Sequence, residues 1–158
     1  MYSTRPAVHD DFAAVCTFPR NAEELFYMYP KGTFPLSADQ LAGAAEGRHL
    51  LTVLVGANDE VAGYANVYGL EAGELCWLGN VIVSPAHRGN GGAELLIRSM
   101  IGHAQSVLGV KRLRLVCHST NARALLFYTR IGFKPYEIAR MEDHRGQTIA
   151  AIRMELQF

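Results

Sequence analysis

The chain has 158 residues, enough for one domain that can bury a sizeable core without covalent staples. Lys plus Arg equals Asp plus Glu at 15 each, so the formal net charge is zero and no global field draws in a polyanion; neither nucleic acid nor an anionic membrane is an expected partner. Although 49% of residues are hydrophobic, no apolar run approaches the roughly 18 residues that a membrane span needs, and the stretch 1–20, with Arg5, Asp10 and Asp11, does not read as a signal peptide.

In chain order, a short strand at 2–5 is closed by Pro6, and Asp10 and Asp11 open a helix through Phe12, Val15 and Cys16. A second helix is expected at 22–29, stopped by Pro30, and a third at 38–46, with Ser37 as its N-cap. Three strands follow at 48–56, 61–70 and 75–83. The turn signals Asn58-Asp59 and Ala72-Gly73 separate them, and the short connections make them antiparallel. Pro85 ends the third. A glycine-rich turn leads into a long helix whose apolar face is Leu96, Met100, Ala104, Val107 and Leu108, with Gly109 as its C-cap. A strand at 112–117, a helix at 121–130 stopped by Gly132, and a hairpin of strands at 133–141 and 148–156 complete the chain. The central strand–helix–strand unit requires a crossover, so those two strands are parallel in an otherwise antiparallel, mixed sheet. The three cysteines, Cys16, Cys76 and Cys117, are odd in number and lack metal-type spacing; they read as reduced thiols packed in the core of a cytoplasmic protein, and no metal is expected.

The most informative segment is Pro85-Ala86-His87-Arg88-Gly89-Asn90-Gly91-Gly92-Ala93-Glu94, lying between a strand and a helix. The first turn of a helix presents N–H groups without partners and a partial positive charge. Glycines allow the loop to turn tightly and a phosphate to approach the backbone, and Arg88 adds a permanent cation. Together these suit a pyrophosphate. A nucleotide P-loop is excluded because Gly91-Gly92 leads to Ala93-Glu94 instead of Lys-Ser/Thr. The dinucleotide fingerprint is excluded because Glu94 stands where its third glycine belongs.

This segment resembles the acetyl-CoA signature of the GCN5-related N-acetyltransferase (GNAT) superfamily, Arg/Gln-x-x-Gly-x-Gly/Ala, with Arg88, Gly91 and Ala93 in the fixed places. A second stretch, Asn121, Ala124, Tyr128 and Gly132-Phe133, is similar to the family's Asn-x-x-Ala-x-x-x-Tyr-x-x-x-Gly-Phe pattern. The resemblance implies an α/β (α+β) fold in one domain over 1–158: a splayed, mostly antiparallel sheet of six to seven strands flanked by four to five helices. It also implies acetyl-CoA as cosubstrate. The pantetheine arm would lie on the backbone of Val81, Ile82 and Val83, the pyrophosphate on Arg88, Gly89, Asn90, Gly91, Gly92 and Ala93, and Asn121 and Tyr128 would face the cofactor. Tyr128 is implied as the general acid for the departing thiolate. A strand N–H near Val83 would serve the developing oxyanion.

The implied reaction is direct attack of a primary amine, of a small molecule or a protein, on the thioester in a ternary complex, with positioning supplying most of the acceleration. The general base is not singled out by the sequence; Glu74, Glu71 and His118 are the candidates, beside a water-mediated base or an amine deprotonated before binding. Phe26, Tyr29, Tyr68 and Trp77 are candidates for the acceptor pocket, though rings at these places also serve to pack helices on the sheet. The competing reading is a non-catalytic acyl-CoA-binding or sensing module with the same fold. Relatives often dimerise, so the resemblance leaves a homodimer open.

Overall fold

A computed structural model describes residues 1–158. Strand β1 is Ser3–Pro6, followed by a 3₁₀ turn at His9–Asp11 and the helices α1 (Phe12–Val15), α2 (Ala22–Met28) and α3 (Ala38–Ala45). Strands β2 (His49–Val55), β3 (Val61–Glu71) and β4 (Leu75–Val83) precede helix α4 (Gly92–Ser106). Then come β5 (Arg112–His118), α5 (Ala122–Ile131), β6 (Lys134–Glu142) and β7 (Thr148–Gln157). The seven strands form one sheet in the order β1-β2-β3-β4-β5-β7-β6, antiparallel everywhere except between β4 and β5.

The helix starts follow local chemistry. Asn21, Ser37 and Asn121 each cap a helix by accepting from the backbone N–H three residues on, at 2.9, 3.2 and 3.4 Å. Helix α4 ends at Ser106, three residues before Gly109. That glycine takes φ +65° in the turn beyond the helix, so the expected C-cap at 109 is displaced outward.

Side chains alternate across the sheet and divide the core in two. Leu54, Val67, Cys76 and Leu113 face α4 and α5. Val53, Val55, Tyr64 and Ile82 face α1, α2 and α3. Cys76 and Cys117 are both buried, and burial pushes each thiol up to about 11, so they behave as apolar filling. Gly92, at the start of α4, has no room for a side chain: a Cβ there would sit 2.7 Å from Cδ2 of the fully buried Leu54. Packing against β2 therefore demands this glycine.

Two features of β4 create the gap that matters below. Pairing with β5 runs only through Leu75–Arg112, Cys76–Leu113 and Trp77–Arg114, after which the two parallel strands separate. On the other side, Tyr64 pairs with Ile82 and Asn66 with Gly79, so one β3 residue opposes Asn80 and Val81 together, which is a β-bulge. Asn80 holds φ +50°, a conformation Asn tolerates better than most residues. Its Oδ1 accepts from Asn66 Nδ2 at 2.9 Å and its Nδ2 donates to the Met28 carbonyl at 2.9 Å, fastening the bulge to the end of α2. Asn66, fully buried, also donates to the Tyr64 hydroxyl (3.0 Å) and accepts from Arg48 Nη1 (3.0 Å).

Asn80→Ala breaks two buried hydrogen bonds and strains a left-handed residue. It is expected to lower unfolding stability by about 2–4 kcal/mol in denaturant melts, with Asn80→Gly about 1 kcal/mol less damaging because glycine accepts the backbone conformation. Equal stability of both variants to the parent would show that the network carries no load.

Candidate active site

Beyond Trp77 and Arg114 the facing edges of β4 and β5 have no strand partner. The space between them opens into a cleft of about 980 Å³. Val81, Ile82 and Val83 line it from β4, Val116, Cys117 and His118 from β5, and Asn121, Ala124 and Tyr128 from α5. Backbone amides along such an edge offer an extended ligand the same bonds a neighbouring strand would.

The glycine-rich turn lies where β4 ends. Gly89 and Gly91 take φ +80° and +85°, and Gly91 is the N-cap of α4, with open space where a Cβ would stand. The first backbone bond into the helix is from Leu95 N–H to the Gly91 carbonyl. The N–H groups of Gly89, Asn90, Gly91, Gly92, Ala93 and Glu94 have no partner within the chain. Six successive free donors at a helix start form a strong anion cradle.

Arg88 sits differently from the sequence expectation. Its Nε donates to the Val83 carbonyl at 3.0 Å, and Nη1 and Nη2 donate to the Glu24 carboxylate at 2.9 and 3.3 Å. The guanidinium thus ties the end of β4 to the start of α2 rather than standing free for a phosphate. Burial alone would raise Glu24. Hydrogen bonds from Arg20 and Arg88 outweigh it and hold the carboxyl down at about 2.

Tyr128 lies in the cleft, almost completely buried against Phe127 and Phe133, and its hydroxyl makes no hydrogen bond to the rest of the chain. Burial, with a smaller contribution from Cys117, raises this phenol well above its ordinary value, so it is protonated throughout the neutral range. Asn121 both caps α5 and lines the cleft.

Of the candidate bases Glu74, Glu71 and His118, only His118 reaches the cleft. Its ring, 4% exposed, is sandwiched against Phe26 (centroids 4.5 Å) and Tyr27 (5.9 Å), and burial lowers its pKa, leaving a neutral imidazole. Glu74 stands before β4, at the opposite end of the strand from the cleft, paired with Lys111 at 3.5 Å and Arg112 at 3.8 Å. The four acceptor candidates also part company. Tyr29 and Tyr68 line the cleft. Phe26 is buried under His118 and borders a separate cavity of about 230 Å³. Trp77 stacks on Tyr68 with its ring centre 6.3 Å away but does not reach the cleft wall.

Arg48 and Asn80, which line the cleft, and the buried Asn66 that joins them escaped sequence reasoning. The available signal was polarity out of place, two asparagines inside strands that otherwise read as apolar.

The model of the Acetyltransferase (GNAT) family matches residues 7–133. The chain belongs to this family. No curated protein matches it significantly in sequence. Among solved structures, it superposes on the spermidine N-acetyltransferase from Vibrio cholerae in complex with CoA and spermine with a TM-score of 0.83 at 18% identity, covering 99% of this chain and 95% of that one. On the ribosomal-protein-S18-alanine N-acetyltransferase from Escherichia coli the TM-score is 0.79 at 24% identity, covering 99% and 94%. At such identities the likeness concerns the GNAT fold itself.

His118, with a depressed folded pKa, stays neutral when an unfolded chain would take up a proton. Stability is therefore retained above about pH 6.5, the ordinary value for histidine, and falls as pH drops below it. An NMR titration should place the His118 midpoint below 6.5; a midpoint at or above that value would mean the ring is solvated.

Proposed function

We propose that the chain transfers an acetyl group from acetyl-CoA to a primary amine by direct attack in a ternary complex. The observation that carries this reading is the junction of a run of unpartnered N–H groups, Gly89 to Glu94, with a gap between parallel strands that holds a protonated phenol. The donors suit a diphosphate, and the unpaired β4 edge at Val81, Ile82 and Val83 suits an amide-bearing arm leading inward from it. The neighbour solved with CoA shares the fold and so lends weight to the same ligand class here.

In this reading, main-chain N–H groups of β4 facing the gap stabilise charge developing on the thioester oxygen. Tyr128 supplies the proton that the departing thiolate, with an ordinary pKa of about 8.5, needs. Burial keeps Tyr128 protonated before attack, and the thiolate, forming in the same buried gap, is made more basic by the same desolvation, which favours the transfer. His118 is the base candidate that the geometry leaves in reach; it is uncharged and in the cleft, whereas Glu74 is neither near nor unpaired. Direct attack uses no enzyme nucleophile, and Cys117 is unsuited to be one, since burial pushes its thiol up to about 11. Most of the rate then comes from holding the amine beside the thioester.

Thiol release from acetyl-CoA across an amine panel tests the reading; CoA binding without turnover of any amine would favour an acyl-CoA sensor. Tyr128→Phe should cut kcat about 100-fold while CoA affinity by calorimetry stays nearly constant; unchanged turnover removes Tyr128 as the acid. Gly91→Asp places a carboxylate among the free N–H groups at a left-handed position and should lower CoA affinity by at least about tenfold. Intact affinity would mean that the anion binds elsewhere.

A further inference from the structure

From the charge placement in the cleft we infer that the amine acceptor is a small amino acid, whose carboxylate is received by Arg48; this rests on the acetyltransferase reading above. The observation is a guanidinium that is half-buried, fixed in place, and has no carboxylate partner. Arg48 lies with its Cζ 4.4 Å from the centre of the Tyr68 ring and uses one donor, Nη1, on Asn66. Its remaining N–H groups have no partner in the chain. Gly79 leaves room for the stacked pair: a Cβ there would lie 2.6 Å from Nη1 and 2.8 Å from Tyr68 Cδ1. Burying a cation without a counter-charge is unfavourable, and a rigid guanidinium fork matches a carboxylate.

The rest of the cleft agrees in sign. Lys31 and Arg140 line the cleft without an ion pair. Arg153 is held by Glu137. The carboxylates that line the cleft, Glu23 and Glu24, both sit in the first turn of α2, and Glu24 is already bound by Arg20 and Arg88. Arg48 lies instead on the network that ends at Met28, the last residue of α2. A polycationic amine entering there meets uncompensated cations. A neutral amine leaves Arg48 unpaired. An amino acid satisfies it and can lay apolar side-chain atoms on Tyr29.

The test compares amino acids with their amides and with a polyamine as acceptors, by thiol release from acetyl-CoA. Amino acids should exceed the matching amides in kcat/KM by about 100-fold, because an amide leaves the arginine's charge unmet. Arg48→Gln should collapse that ratio toward one, mainly through KM for the amino acid, and Arg48→Lys should keep part of it. Melting curves and CoA calorimetry check that the variants fold, and the parent's amino-acid/amide ratio stands as evidence whichever variant folds. Amides or the polyamine being turned over as well as amino acids would overturn the inference while leaving the acetyltransferase reading intact. CoA binding with no turnover of any amine would remove both.

Discussion

The cleft in this molecule depends on one interruption of hydrogen bonding: β4 and β5 pair at Trp77–Arg114 and then part. An open parallel edge in the middle of a sheet is unfavourable, because each unpaired backbone group must find water or a ligand. The protein enforces the opening from the other side. One extra residue in β4 bends that strand, and the extra residue is an asparagine in a left-handed conformation, bound through its side chain to both β3 and the end of α2. The same amide network that shapes the gap therefore also positions the helix that walls it.

The gap passes through the sheet, and this explains how the two halves of the site are assembled from opposite layers. Tyr128 belongs to the layer that contains α4 and α5. Arg48, Asn66 and Tyr68 belong to the other layer, with α2, on the strand face that carries Tyr64. A ligand held along the β4 edge meets both. Arg88 and Glu24 brace the arrangement at the glycine-turn end by linking β4 to the first turn of α2. A chain of zero net charge thus leaves a run of free N–H dipoles at the start of α4, while the nearby Arg88 is spent on bracing.

Much of the fold was legible because it is written in local signals. β-Branched and aromatic runs bounded by turn residues, helical periodicity and side-chain caps placed every strand and helix to within a few residues, and the crossover rule made β4 and β5 parallel. The glycine turn was legible for the same reason, since free N–H groups at a helix start follow from the start itself. Less was legible where a residue has two uses. Gly92 read as a phosphate-facing glycine, but its packing on Leu54 requires it independently of any ligand. Arg88 read as a free cation and is a strut. Phe26, Tyr29, Tyr68 and Trp77 read alike as rings, and only two of them line the cleft.

By itself, then, the sequence determined the order and type of the elements, the parallel pair and the unpartnered amides of the turn, because each depends on residues within about one helical turn or one hairpin. Only the tertiary structure decided which side chains share the cleft and which charges are already spent. Glu74 and His118 both read as candidate bases, yet Glu74 is spent on Lys111 and Arg112 while His118 is buried at the cleft. The partner that neutralises Arg88 comes from Glu24, far away in the chain, and Arg48 has none. Ion pairing and burial are decided by distances in space, which the order of residues along a chain does not contain.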